Sequence, residues 1–119
     1  MDIYVSAKRG KRLEIYPDPA TIAVGENVAW QLYYDGRDEP SADSLVWSIY
    51  LSSGSPFETQ EDHAVQTDPK YGPEQKGKVE AGPARSPGDY KYGVRVSNAR
   101  TKEVVCDDDP RLIVRSTSR

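Results

Sequence analysis

The chain has 119 residues, of which 36% are hydrophobic and 29% charged, and a formal net charge of −3 at pH 7. A chain of this length and composition can bury a core of its own, so the sequence predicts one globular domain over residues 1–119. The acidic balance argues against a nucleic-acid partner, because nucleic-acid-binding domains are usually basic. No apolar window reaches the length of a membrane span, which argues against a membrane role.

The N-terminal segment is charged every few residues and contains no apolar run, so the sequence predicts no signal peptide. The one cysteine, Cys106, excludes a disulfide within the chain. Both features favour a cytoplasmic location.

Nine short segments have the alternation or composition of β-strands, and no segment has a helical period. In chain order the predicted strands are residues 2–6, 12–16, 21–24, 27–34, 44–51, 78–81, 89–97, 102–106 and 111–115. Turns rich in glycine, proline and aspartate separate them, and Gly10 marks a hairpin tip in the basic run of residues 8–12. Many short strands joined by tight turns predict an all-β fold, an antiparallel Greek-key β-sandwich.

The alternation also assigns side chains to faces in the central strands. Trp30 and Trp47 fall on inward faces, where we expect them to pack against the strand at residues 89–97. Tyr33 and Tyr50 fall on the opposite faces. An exposed row of these rings would suit stacking on sugars, whereas the other interpretation is ordinary cross-strand pairing or a second buried face.

Residues 53–88 interrupt the pattern, with five of the nine prolines and five of the nine glycines of the chain. We interpret this segment as an irregular Pro/Gly-rich excursion with one or two edge strands. It carries two isolated large side chains, Phe57 and Tyr71, which a polar loop does not need for solubility. We therefore predict a contact with another protein there, centred on Tyr71. For Phe57 the alternative is that its ring folds back and closes the end of the sandwich.

Several of these segments resemble the cupredoxin-like β-sandwich. The run "IYPDPATIAVGENVAWQL" is similar to an early strand of that family, in which Gly and an acidic residue precede Val-x-Trp, here residues 22–30. A late Gly-x-Tyr-x-Tyr strand at residues 88–92 and the final "DPRLIV" extend the resemblance over residues 13–115. The Gly-x-Tyr run also resembles the tyrosine corner of immunoglobulin-like sandwiches, so an immunoglobulin-like fold is the alternative.

The resemblance implies a copper centre held by two His, one Cys and usually a Met. This chain has one histidine, His63, one cysteine, Cys106, and no methionine except Met1. No His or Met follows in residues 107–111, so the resemblance carries no copper role over to this chain. The same count excludes a Cys/His zinc site within one chain. We therefore predict no metal site and no cofactor.

The cysteine, the histidine and one serine are the candidate catalytic residues. Three aspartates, residues 107–109, follow Cys106 and are predicted to form a tight turn, since the EF-hand spacing of a calcium site is missing. Their negative charge disfavours the thiolate that a nucleophile needs, so we predict a buried, structural cysteine. Ser86 is followed by Pro87, which has no backbone N–H for an oxyanion. His63 has no recognisable nucleophile to serve and is predicted to lie at the surface, which leaves no catalytic residue.

These observations predict a non-catalytic protein-binding or structural module rather than an enzyme. The predicted partner is another protein or a second copy of the chain. A carbohydrate-binding β-sandwich is the first alternative, and a hydrolase that uses a carboxylate pair is the second. Because a β-sandwich hosts many functions, only the site can decide among them.

Overall fold

The computed structural model describes residues 1–37, 43–51, 54–57, 63–67 and 74–116. Within these ranges the chain forms eleven β-strands and no helix, which confirms the all-β prediction. The strands are β1 (Asp2–Ala7), β2 (Glu14–Tyr16), β3 (Ala20–Ala23), β4 (Val28–Asp35), β5 (Leu45–Tyr50), β6 (His63–Thr67), β7 (Glu74–Ala81), β8 (Gly88–Lys91), β9 (Gly93–Asn98), β10 (Val104–Asp108) and β11 (Arg111–Arg115).

The strands form three hydrogen-bonded sheets. The first has the order β2-β1-β4-β7, the second β10-β9-β5-β6, and the third, a short one, β3-β11-β8. Their inward side chains meet in one core, which confirms the predicted β-sandwich. The second sheet is antiparallel throughout. The first and third sheets are mixed, because β1 runs parallel to β4 and β3 runs parallel to β11.

Trp30 and Trp47 form the centre of the core, and neither has any exposed surface. This confirms their predicted inward orientation. The Trp30 ring contacts Tyr92 edge-on, with ring centroids 5.6 Å apart, and Trp47 lies opposite Val96 of β9. Tyr92 and Val96 are buried, whereas Tyr90 is only partly buried against the core.

Two connections link the second sheet to the third: β8 leads into β9, and β10 leads into β11. Tyr92 alone separates β8 from β9. Its N–H donates at 3.0 Å to the carbonyl of Pro110, which lies between β10 and β11.

The predicted tight turn at residues 107–109 is wrong in its extent, because β10 continues through Asp108. Asp107 lies opposite Arg95 of β9 and forms an ion pair with it, with 3.2 Å between the charged groups.

Residues 53–88 contribute an edge strand to each of the two larger sheets, β6 to the second and β7 to the first. β7 is longer than the strand predicted at residues 78–81, since it pairs with β4 over all eight of its residues. β6 and β7 lie against each other where the two sheets meet. A Cβ atom at Gly77 would come within 2.7 Å of Thr67 Cγ2, so any larger residue at this position would require Thr67 to shift.

Candidate functional site

Strand β1 alternates exposed and buried side chains, as expected for a strand at the surface of a sandwich. Ile3 and Val5 point into the core and are 0% and 1% exposed, so Tyr4 between them points outward and is 55% exposed. In the antiparallel pairing with β2, Tyr4 lies directly opposite Tyr16, which is 75% exposed. Two large aromatic side chains are therefore adjacent on the outer face of the first sheet.

The strand register extends this pair into rows that cross the sheet. Tyr4 lies opposite Gln31 of β4, and Gln31 lies opposite Lys78 of β7. A second row is formed in the same way, two residues further along each strand. We call the two rows the tyrosine face; its residues are Tyr16, Tyr4, Gln31 and Lys78 in the first row and Glu14, Ser6, Tyr33 and Lys76 in the second.

Three polar groups of the tyrosine face bind acidic neighbours within the chain. Gln31 Nε2 donates to Asp2 Oδ1 at 3.2 Å. Tyr33 Oη donates to Glu74 Oε1 at 2.6 Å, and this hydrogen bond raises the pKa of Tyr33. The Lys78 ammonium lies 2.7 Å from a Glu80 carboxylate oxygen, which raises the pKa of Lys78. All three interactions are at the surface, where they orient side chains but add little stability.

Four other side chains of the tyrosine face make no hydrogen bond or ion pair within the described ranges: Tyr4, Tyr16, Glu14 and Lys76. The two tyrosines thus present both a ring and an unengaged hydroxyl group to solvent. Glu14 and Lys76 present single charges of opposite sign. These groups are available to a partner without breaking an internal contact.

Shallow depressions flank the tyrosine face at both ends of its strands. One has a volume of about 350 Å³ and is lined by Asp2 and Glu80 among others. The other has a volume of about 430 Å³ and lies beside Glu14, Tyr33 and the basic loop at residues 8–12. Both are open to solvent, so they suit a broad partner better than a small molecule that needs enclosure.

The structure describes one of the two residues that are predicted to contact a partner, Phe57. Phe57 is 2% exposed, and its ring packs edge-on against Trp30 with centroids 6.3 Å apart. It also forms an isolated bridge with Ala84, so it closes the core, as the alternative interpretation has it. Tyr71 lies outside the described residues.

Tyr33 and Tyr50 belong to different sheets, on β4 and β5. The Tyr50 ring lies across Gly93, its Oη donates to Asp107 Oδ1 at 2.7 Å, and the Arg95 guanidinium stands 5.1 Å from its centroid. Burial and the hydrogen bond to Asp107 raise the pKa of Tyr50 to about 12. These two tyrosines therefore do not share the single row of rings on which the carbohydrate-binding alternative rests.

Cys106 is 6% exposed, which confirms the prediction of a buried cysteine. Its Sγ atom lies 3.6 Å from the carbonyl oxygen of Lys8 and 3.5 Å from that of Lys11, beneath the basic loop. Burial raises the pKa of its thiol, which opposes formation of a thiolate.

His63 is less exposed than the predicted surface position implies. It is partly buried on β6, and its Nε2 atom is buried without a hydrogen-bond partner in the described part of the chain. β6 and β10 are the opposite edges of the second sheet. The fold therefore keeps His63 and Cys106 apart.

The sequence prediction did not include Tyr4 and Tyr16 among the binding residues. The sequence does indicate the outward position of Tyr4, because Tyr4 lies between two apolar residues in "DIYVSA" and must point away from them in a strand. Its pairing with Tyr16 depends on the register of the β1–β2 hairpin, which alternation alone does not give.

Comparison with models of known protein families finds no match, and comparison with curated protein sequences finds no similar protein. Over the residues that the structure describes, no group of three or more His, Cys, Asp or Glu side chains could hold a metal ion. The same residues include no helix that is long and apolar enough to cross a membrane.

Proposed function

We propose that this protein is a non-catalytic module that binds another protein through the tyrosine face. The adjacent, exposed pair of Tyr4 and Tyr16 supports this function. Tyrosine is enriched among the residues that dominate binding energy at interfaces, because its rigid ring offers a large contact area at a low entropic cost. Charged and amide side chains surround the pair, as in the polar rim of an interface.

The charge states of three aspartates support binding rather than catalysis. A general acid that works near neutral pH needs a carboxyl group with a raised pKa. Asp35, Asp43 and Asp89 show the opposite, because hydrogen bonds from neighbouring arginines lower their pKa values. They are paired anions at the surface, whereas the hydrolase alternative requires a perturbed acid in a cleft.

Within the β-sandwiches we propose a copper-free, cupredoxin-like domain in the cytoplasm. The run of residues 22–30 that resembles cupredoxins spans the end of β3, a turn at Gly25 and the start of β4. The single cysteine supports the cytoplasmic location, since small secreted domains often depend on disulfides. The immunoglobulin-like alternative is supported by Tyr90, whose Oη donates to the carbonyl of Ser86 at 2.9 Å, as in a tyrosine corner.

Replacing both exposed tyrosines tests the proposed function. Tyr4→Thr/Tyr16→Thr removes the rings but keeps residues that favour strands. Val104→Thr is the matched control, because Val104 is 50% exposed on β10 of the second sheet. Each protein is immobilised, and the proteins retained from an extract of the native host are quantified by mass spectrometry. We expect the double variant to lose specific partners at least about tenfold and the control to keep them.

Equal recovery with all three proteins, at unchanged melting temperatures, would contradict the proposal. A parallel measurement by affinity electrophoresis in polysaccharide gels addresses the carbohydrate alternative. A polysaccharide that retards the wild type but not the double variant would assign the tyrosine face to carbohydrate instead.

A further inference from the structure

We infer that the partner that fits the tyrosine face is a second copy of this chain, in a symmetric dimer. This inference rests on the proposed function and names its partner. The two copies stack face to face around a twofold axis that runs parallel to the strands, midway between β1 and β4. Such an axis keeps each row in place and exchanges the two sides of the sheet, so that β2 of one copy faces β7 of the other.

Charge complementarity in the second row supports this arrangement. Glu14 on β2 and Lys76 on β7 lie in the same row, on opposite sides of the face. Three strand spacings, about 14 Å, separate them within one copy, which is too far for an ion pair. Across the twofold axis, Glu14 of one copy faces Lys76 of the second copy, and symmetry forms this pair twice. The dimer thus pairs two charges that have no partner among the described residues of one chain.

The first row is complementary in a different way. Tyr16 of one copy faces Lys78 of the second copy, which brings an ammonium group to an aromatic ring. Tyr4 faces Gln31 close to the axis. The Gln31 Nε2 donates to Asp2 within its own copy, and its carbonyl oxygen can accept from the Tyr4 hydroxyl group while the amide packs on the ring. An axis perpendicular to the strands would instead set Lys76 against Lys78. The parallel axis brings no like charges together within the two rows.

The size of the face sets the expected strength of the dimer. Two rows across four strands give an interface near the small end of the range for specific complexes. Most of its side chains are polar, so each contributes less than a buried aromatic anchor does. We therefore expect reversible association with a Kd on the order of 100 μM.

Charge reversal at Glu14 and Lys76 tests this arrangement by sedimentation equilibrium, at protein concentrations from about 10 μM to about 1 mM. In a homodimer of the Glu14→Lys variant, the introduced lysine of each copy faces Lys76 of the other copy. In a homodimer of the Lys76→Glu variant, the introduced glutamate of each copy faces Glu14 of the other copy. Each single variant should therefore dimerise at least about tenfold more weakly than the wild type. Mixing the two variants restores both ion pairs, so the equimolar mixture should form a heterodimer of near wild-type affinity.

The mixture is the decisive sample, because a general loss of folding or solubility cannot be rescued by a second damaged protein. The exchanged variant Glu14→Lys/Lys76→Glu should also dimerise like the wild type. The inference is overturned if the wild type stays monomeric up to the highest concentration, or if the mixture associates no better than either variant alone. It is equally overturned if the single variants dimerise as strongly as the wild type.

Failure of the dimer and failure of the proposed function give different results. If the wild type is monomeric but Tyr4→Thr/Tyr16→Thr loses a captured protein, the tyrosine face binds another partner and only the dimer is rejected. If that double variant changes neither self-association nor capture, the tyrosine face is not a binding surface and both are rejected.

Discussion

Each tryptophan of the core brings one buried indole N–H group that needs an acceptor. Trp30 Nε1 donates to Tyr92 Oη at 3.2 Å, and Trp47 Nε1 donates to Thr67 Oγ1 at 3.0 Å. Tyr92 is itself only 2% exposed, and burial raises its pKa to about 12. The hydroxyl groups of Tyr92 and Thr67 therefore belong to the core, although hydrophobic patterning does not reveal this role.

We expect Tyr92→Phe to lower the free energy of unfolding by about 1–3 kcal/mol, because the ring is kept while the Trp30 N–H loses its acceptor. Urea unfolding followed by tryptophan fluorescence measures the difference. Tyr33→Phe is the matched control, since its hydroxyl group binds Glu74 at the surface, and we expect a change within about 0.5 kcal/mol. Equal losses in the two variants would show that Trp30 does not depend on Tyr92.

At the scale of strands, a buried chain of hydrogen bonds joins the edges of the two larger sheets. Thr67 on β6 accepts from Trp47 and donates to Gln75 Oε1 on β7 at 2.9 Å. Gln75 is 1% exposed, and its Nε2 donates to the carbonyl oxygen of Asp43 at 2.9 Å. The sandwich is thus closed on this side by satisfied polar groups as well as by apolar contacts.

We expect Thr67→Val to destabilise the protein by about 1–3 kcal/mol for each of two buried groups, Trp47 Nε1 and Gln75 Oε1, that lose their partner. Valine has nearly the shape of threonine, so the packing itself changes little. Thr67→Ser keeps the hydroxyl group and removes one methyl group, for an expected loss of about 1 kcal/mol. Chemical unfolding compares the two. A Thr67→Val protein at least as stable as Thr67→Ser would contradict the role assigned to the hydroxyl group.

The central strands could be predicted from the sequence because their two faces differ sharply in polarity. β4 and β5 alternate buried with half-buried residues over their whole length, and the pattern specifies both the strand and its inward face. β7 does not follow this rule, since its inward positions include Gln75 and Gly77, and only residues 78–81 look like a strand. Gln75 is buried because it finds partners far away in the sequence, and no single segment reveals such partners.

The tyrosine face was only partly predictable for a related reason. Strands at residues 2–6 and 12–16 follow from composition, and the outward position of Tyr4 follows from its apolar neighbours. The pairing of Tyr4 with Tyr16 depends on the hairpin register. The common row of Glu14 and Lys76 requires in addition the order of four strands, including the parallel neighbours β1 and β4.

Across the whole molecule, pairs of aspartate and arginine join segments that are distant in the sequence. Asp89 on β8 pairs with Arg111 on β11, and Asp43 pairs with Arg100 at 3.0 Å. Hydrogen bonds from these arginines lower the pKa values of Asp89 and Asp43. Asp35 is affected in the same way by an adjacent arginine, which lowers its pKa from 3.8 to about 2. The native state therefore holds these protons less tightly than the unfolded chain does.

We expect the free energy of unfolding to fall between about pH 4 and about pH 2, partly through these three aspartates. A carboxylate whose pKa is lower in the folded state stabilises the fold above its unfolded value of 3.8, and it loses that contribution as the pH falls through the folded value. Asp35→Asn/Asp43→Asn/Asp89→Asn should accordingly lose less stability over this interval than the wild type. Urea unfolding at low salt measures the slope, because salt screens exposed ion pairs. Asp109→Asn, at an exposed position with no ion pair among the described residues, should keep the wild-type slope. A triple variant as steep as the wild type would show that the aspartate–arginine pairs do not contribute to stability in acid.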